Sequence, residues 1–326
     1  MTPQHDLTAD RVVMALEKRG APVLRFDIAD APDAVSLHAE LAPSGWTGTV
    51  TAHGRTVRLE EIGGVYWWHT QRSRPAGQVT PQSEWASNET TAGLAGVLAA
   101  LACVHVNHPA RTHAAQCKAD VLVQAQAAGL MVPPTCISNT PAPAREFAQD
   151  LHPATLWKSL RTPAVEGEGL LYTQQIDPDG WRDDALASMV HQFQRGITKA
   201  FEVRLVVVGE RLFAARIDAH SAAAKVDFRA DPRALTYQHV WVPEPVARGV
   251  LRLLAHYGLR YAALDLLVDH AGVWWLVDLN AAGQWGWIEQ ALPDLGISSA
   301  LAEELAPDLD VPALAGTSGG HRFHAG

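Results

Sequence analysis

At 326 residues, with 48% hydrophobic and 19% charged residues, the chain is long enough for two or three packed units, and its composition excludes disorder and fibre. A net charge of -9 without any dense basic run argues against a nucleic-acid surface, and no stretch reaches the roughly 18 to 20 apolar residues that span a bilayer. The opening MTPQHDLTADR lacks an apolar signal core, and Cys103, Cys117 and Cys136 match neither a metal knuckle nor a disulfide framework, so a reducing cytoplasm is expected.

Asp6 to Gly20 reads as a helix with Thr8 at its N-cap and Val12, Val13 and Leu16 on one face, followed by a strand over 21–27. Residues 35–60 alternate as short strands. Residues 63–75, GGVYWWHTQRSRP, read as a buried strand running into a basic, proline-ended loop, and a helix is expected from Glu84 to Ala102. A second unit starts near Asn107-His108-Pro109, with helical spacing from Arg111 to Gly129 that carries Lys118. Thr155 to Lys158 is a short strand, and RTPAVEGEG over 161–169 is a polar loop whose Gly167 and Gly169 suit close approach to phosphates. Phe201 to Val208 and Arg211 to Asp218 form a hairpin, and Pro243 to Gly258 an amphipathic helix. The tail 316–326 is rich in glycine, and no internal repeat is present.

The most informative stretch is the hairpin of Tyr261 to Val268 and Val273 to Leu279. If Val268 pairs with Val273, Asp265 faces Leu276 and Asp278 sits diagonally, so that strand period 2 brings Asp265, Asp278 and Asn280 to one side. Diagonal neighbours lie about 7 to 8 Å apart, a gap that one or two hard divalent cations bridge through carboxylate oxygens. Asp278 interrupts the apolar run WWLVDLN, where a buried charge is costly without a cation or donor beside it.

Lys118 and Lys158 each stand where a chain reversal aims an ammonium at a shared cleft, as a triphosphate requires. Gln194, Arg195, Gly196 and Ile197 read as an extended connector whose backbone groups suit an adenine edge, and Glu202 as a partner for a ribose hydroxyl; a plain linker is the competing reading. Arg204, Arg216 and Arg229 offer planar forks for phosphate or carboxylate. The paired tryptophans are expected in the core, and the scattered histidines lack the third ligand that zinc would need.

In order, Asn107-His108-Pro109, Lys118, Lys158, Phe193-Gln194, Ile197-x-Lys199-x-x-Glu202-Val203-Arg204, Val208-Gly209, Asp227-Phe228-Arg229, Asp265 and Asp278-Leu279-Asn280 resemble the ATP-grasp superfamily. The ending Gly283-Gln284-Trp285-Gly286-Trp287, the WW at 67–68 and the opening DLTADRVVMALEKRGAPVLRFD narrow the likeness. They are similar to the ATP-grasp ribosomal peptide maturases, the graspetide synthetases related to the microviridin ligases, over roughly residues 6 to 305.

This resemblance implies an α/β (α+β) ATP-grasp fold of three subdomains, with ATP between the central and C-terminal ones. The expected boundaries are 1–108 for a pre-ATP-grasp domain, 109–195 for the central subdomain, 196–312 for the C-terminal subdomain with the metal site, and 313–326 for a flexible tail. It implies ATP and two Mg2+ ions, with Lys118, Lys158, Gln194, Arg195, Gly196, Ile197, Lys199 and Glu202 on the nucleotide, and Asp265, Asp278 and Asn280 on metal. Arg204, Arg216 and Arg229 are assigned to the transferring phosphoryl group or the acceptor carboxylate. The implied partner is a precursor peptide of leader and core, with no nucleic acid and no membrane, and a homodimer remains open. The implied reaction activates a peptide carboxylate as an acyl phosphate and closes an ester or amide ring with Ser, Thr or Lys. Two features depart from the family: Asp278 stands where Glu is usual, and the usual first strand before DLTAD is missing, implying a shortened start or a weakened sheet. Two rival readings share these residues, a ligase acting on a small carboxylic acid or a protein tail, and a nucleotide- or peptide-binding module without turnover.

Overall fold

The computed structural model describes residues 1–75, 77–151, 154–161, 173–221, 224, 231–309 and 321–322. The first helix, Leu7–Lys18, is capped by Asp6 and not by Thr8: the Asp6 carboxylate accepts from the N–H groups of Thr8 and Ala9, both at 2.9 Å. An ionised acceptor answers both the orphan amides and the positive helix end. Thr8 is thereby released, and its hydroxyl donates to Gln284 Oε1 at 2.8 Å.

Strands β1 (Val35–Ala42), β2 (Gly45–Ala52) and β3 (Arg55–Arg58) form the expected antiparallel meander, and β4 (Gly64–Tyr66) pairs in parallel with β5 (Val104–Val106). The strand expected over 21–27 is not one: the segment is extended but joins no ladder, and Thr2 N–H donates to Phe26 O at 2.9 Å. A cavity of about 650 Å³ lies beside it, lined among others by Val23, Phe26, Val65, Tyr66, Val104 and Leu305. Of the strand expected over 63–75, only Gly64–Tyr66 pairs. The following helix is Pro81–Ala99, started early by a reciprocal Thr80–Ser83 capping box with Pro81 in the first turn.

The single helix expected from Arg111 to Gly129 is two, Pro109–Ala114 and Lys118–Ala127, so that Lys118 opens the second. Strands β6 (Thr135–Ser138), β7 (Thr155–Lys158), β8 (Gln174–Gln175) and β9 (His191–Arg195) make a sheet of order β6-β9-β7-β8. Strands β10 (Lys199–Val208), β11 (Arg211–Ala219), β12 (Leu235–His239), β13 (Tyr261–Asp269) and β14 (Trp274–Asn280) form a larger antiparallel sheet of order β12-β11-β10-β13-β14.

Period 2 along β10 divides this larger sheet into two faces. Val203, Leu205 and Val207 join Leu264, Leu266 and Leu276 against Val250, Leu253 and Leu254 of the helix Glu244–Tyr257, which Gly258 ends at φ +63°. Val206 and Val208 join Tyr261 and Ala263 against the first helix and the helices Gly286–Ala291 and Ile297–Leu305. The second face carries its polar residues, Glu202, Arg204 and Asp265, beyond the end of that apolar cover.

Asn107 fastens the first part of the chain to this sheet. Only 3% exposed, it donates through Nδ2 to Tyr261 O (2.7 Å) and Ala281 O (2.8 Å) and accepts through Oδ1 from Arg260 N–H (2.8 Å) and Tyr261 N–H (3.0 Å). All four hydrogen-bonding positions of the amide are filled. Asn107→Ala strands four backbone groups at once, so a loss of about 3 kcal/mol or more in urea unfolding is expected, with the m-value unchanged.

Candidate active site

The hairpin β13–β14 is paired one residue differently from expectation. The Asp269 carboxylate binds the N–H groups of Ala271 and Val273 and the indole of Trp275, each at 2.9 Å, which draws Val273 into the turn. Pairing therefore begins at Val268 opposite Trp274, and Leu266 faces Leu276. A regular ladder would then set Asp278 opposite Leu264, toward the helix-packed core. Instead a bulge falls between Asp265 and Leu266, Val277 is the extra residue, and Asp265 faces Asp278 directly while Ala263 faces Asn280. The expected common face of Asp265, Asp278 and Asn280 exists, but through a bulge, and the two carboxylates are opposed and not diagonal. Directly opposed Cβ atoms lie about 4.5 to 5.5 Å apart.

Two like charges so placed repel, and Arg204 offsets them. On β10 it faces Asp265 from the other side, donating from one terminal nitrogen to Asp265 Oδ1 at 2.7 Å and from the other to Gln284 O at 2.8 Å. Burial works against its charge, yet Asp265, and after it Tyr261 and Asp278, keep its pKa above the ordinary arginine value. The Asp278 carboxylate has no hydrogen bond or ion pair among the described residues, and Asn280 Oδ1 accepts from Ala282 N–H at 2.9 Å. No group of three His, Cys, Asp or Glu suited to a metal occurs among the described residues. Two carboxylates and an amide form instead an all-oxygen set that fits magnesium, which takes one or two carboxylates and completes its shell with water and phosphate oxygens.

The loop after β14 is tight because Arg204 fills the space beneath it. A Cβ on Gly283 would stand 2.7 Å from a terminal nitrogen of Arg204 and 2.8 Å from Ala263 Cβ, and one on Gly286 would stand 2.6 Å from Thr8 Oγ1. Tyr261, whose phenol burial keeps protonated, donates its hydroxyl to Gly283 O.

The central part of the chain meets this face with two lysines, Lys118 at the start of its helix and Lys158 at the end of β7. Lys118 Nζ donates to Ser159 O at 2.9 Å, and Lys158 Nζ donates at 3.3 Å to the carbonyl of the bulged Val277. Lys158 thus reaches the residue that precedes Asp278, and Lys118 the residue that follows Lys158. Gln194 is 1% exposed and its side chain is spent on Thr135 Oγ1 at 2.9 Å. Of the backbone expected to be free, Arg195 N–H goes to Pro134 O (3.0 Å) and Gly196 N–H to Ala154 O (2.5 Å), leaving Ile197 and the carbonyls to meet a base. The Arg195 guanidinium lies 5.0 Å over the Trp275 ring. Glu202, on the face of Arg204, is paired with Lys199 at 2.6 Å.

Arg216 is not brought to this cluster. It faces Val203, on the opposite side of the sheet, where it forks onto Asp218 and lies 4.2 Å over Phe201. Asp227, Phe228, Arg229, the loop with Gly167 and Gly169, and nearly all of the tail lie outside the described residues. The roles of Gln284 and Thr8 in holding Arg204's surroundings escaped sequence reasoning, although the glycines at 283 and 286 mark a close approach there.

A four-stranded sheet whose Lys158 reaches β14, a helix opened by Lys118, and a second sheet with opposed carboxylates make up an ATP-grasp arrangement. Residues 2–113 match the family model described as the MvdD pre-ATP grasp domain, and no curated protein matches the chain. Among solved structures, a Chryseobacterium gregarium RiPP-associated ATP-grasp ligase, in complex with ADP and a leader and core peptide, is 25% identical with a TM-score of 0.83, covering 94% of this chain and 95% of that one. The macrocyclase MdnC from Microcystis aeruginosa, bound to precursor peptide MdnA, is 25% identical with a TM-score of 0.80 over 94% and 98%. Macrocyclase MdnB from the same organism is 27% identical with a TM-score of 0.76 over 93% and 97%. The chain thus shares the ATP-grasp fold over 93 to 94% of its length with ligases of ribosomal peptide maturation, and its first part matches the pre-ATP-grasp model of that group.

Gly283→Ala is expected to push Arg204 out of place, lowering stability by roughly 1 to 3 kcal/mol and weakening Mn2+ binding measured by electron paramagnetic resonance. Gly93→Ala, whose Cβ would meet open space in the helix Pro81–Ala99, is the control and leaves Mn2+ binding unchanged.

Proposed function

We propose that this chain is an ATP- and magnesium-dependent ligase that closes macrocycles in an acidic precursor peptide. The observation that carries the reading is the pair of facing carboxylates, Asp265 and Asp278, held beside Arg204 and across from Lys118 and Lys158. The boundaries 1–108, 109–195 and 196–312 are proposed for its three parts, and the cytoplasm as the place where it works.

Lys118 and Lys158 bind the triphosphate oxygens, Ile197 and the connector carbonyls receive the adenine, and Glu202, oriented by Lys199, meets the ribose. Asp265, Asp278 and Asn280 would hold magnesium, which when bound neutralises phosphate charge and turns the γ-phosphorus into a better electrophile. Arg204 keeps Asp265 ionised and fixed. A peptide carboxylate oxygen attacks the γ-phosphorus and ADP leaves. A hydroxyl or amine of the same peptide then attacks the acyl carbon, the carbon–oxygen bond to phosphate breaks, and phosphate departs with the electron pair. The proton of the nucleophile is lost to water or phosphate. Exclusion of water favours the ring over hydrolysis. Arg216, on the far face, supports Phe201 and takes no part.

Incubation with ATP, magnesium and a small Asp/Glu-rich precursor peptide that also carries Ser, Thr or Lys, followed by mass spectrometry, tests the reading. Loss of one water per ring is expected, with one ADP released for each. An unmodified peptide, with ATP consumed on free amino acids instead, contradicts it. Asp278→Asn is expected to abolish ADP release; wild-type release in that variant would refute the metal assignment.

A further inference from the structure

The reaction brings a peptide carboxylate toward ATP across a face that already carries Asp265 and Asp278. Something cationic or donating must receive that carboxylate, and Arg204 is occupied by Asp265 and by Gln284 O. The neighbouring part of the first domain offers a group that no step above uses.

His69 is exposed and holds a left-handed backbone at φ +51°, a conformation that non-glycine residues seldom adopt. The chain around it is pinned. Trp68, 1% exposed, donates its indole N–H to Asp6 Oδ2 at 3.0 Å and meets the His69 ring edge-on at 4.7 Å. Gln71 N–H donates to Asp27 Oδ1 at 2.9 Å, Ser73 N–H to Thr91 Oγ1 at 3.0 Å, and the Ser73 hydroxyl to Ala31 O at 2.7 Å. His69 therefore sits on a rigid support and not on a loose loop, with Arg72 and Arg74 exposed just beyond it.

The orientation of its ring follows from a relay. Thr8 donates its hydroxyl to Gln284 Oε1, which turns the Gln284 amide nitrogen toward His69 Nε2 at 3.4 Å. With Nε2 accepting, the neutral ring carries its proton on Nδ1, leaving an N–H donor for a ligand. The main-chain carbonyl of the same Gln284 holds Arg204, so one residue links His69 to the carboxylate cluster.

We infer that His69 receives the acceptor carboxylate of the peptide through its Nδ1–H and positions it for phosphorylation, a role that rests on the proposed function. A carboxylate accepts a charge-assisted hydrogen bond from this donor and complements the positive rim of Arg72 and Arg74, whereas its amide counterpart offers Nδ1–H a weaker, uncharged acceptor and gives the arginines no opposite charge.

The test is a double-mutant cycle in binding, with ADP and magnesium present so that no turnover occurs. The partners are wild type and His69→Asn, which tolerates the left-handed backbone, and the precursor peptide against its copy with core Asp and Glu replaced by Asn and Gln. About tenfold weaker binding is expected for either change alone, and no further loss for both together, with ADP affinity and thermal midpoint unaltered in the variant. Additive losses, or wild-type affinity in His69→Asn, would overturn the inference while leaving the ligase reading intact. Failure of the wild type to bind the unmodified peptide would overturn the ligase reading itself.

Discussion

Everything in the site depends on two carboxylates forced to face each other across β13 and β14. Placed so, Asp265 and Asp278 repel, and a single guanidinium, Arg204, engages one of them and leaves the other for a cation. The arrangement is charged and largely enclosed, the Arg204 and Asp265 side chains being 9% and 15% exposed. Removing one partner of such a buried pair typically costs 3 to 5 kcal/mol, because the survivor keeps an uncompensated charge. The same imbalance suits this face to magnesium and phosphate.

The surrounding fold serves that arrangement. The bulge at Val277 turns Asp278 out of the helix-packed core and frees a carbonyl that Lys158 takes from the opposite sheet. Leu276 N–H donates to Met131 O at 2.8 Å, so the central part of the chain is joined to β14 next to the bulge. Gly283 leaves room for Arg204, Asn107 locks the ends of β13 and β14 to the first domain, and Thr8 with Gln284 carries that domain to the rim of the site. The Met131 and Asn107 connections are hydrogen bonds onto backbone, which fix position without adding charge.

Local patterns made much of this legible in the sequence. The meander over 35–58, the strand Thr155–Lys158 and both hairpins carry alternation and turn residues that act over a few positions. The shared face of Asp265, Asp278 and Asn280 was also legible, yet through the wrong register: the Asp269 side chain lengthened the turn by one residue and the bulge restored the parity. A bulge of this kind has no signature in an apolar run such as WWLVDLN. Arg216 shows the limit from the other side, since one residue along a strand separates the face of Arg204 from the face of Phe201. A hydroxyl and a carboxylate both suit the cap position, and only the contact of Thr8 with Gln284, 276 positions away, separates Thr8 from Asp6 there. Segment 21–27 has the composition of a strand but no ladder beside it, and pairing is a property of partners and not of residues.

The most direct measurement is anomalous X-ray diffraction from crystals grown with ADP and Mn2+. Manganese is expected between the side chains of Asp265 and Asp278, with Asn280 among its ligands and Arg204 still bonded to Asp265. Manganese bound elsewhere, with Asp278 turned toward Leu264 and the helix-packed core, would contradict the central claim.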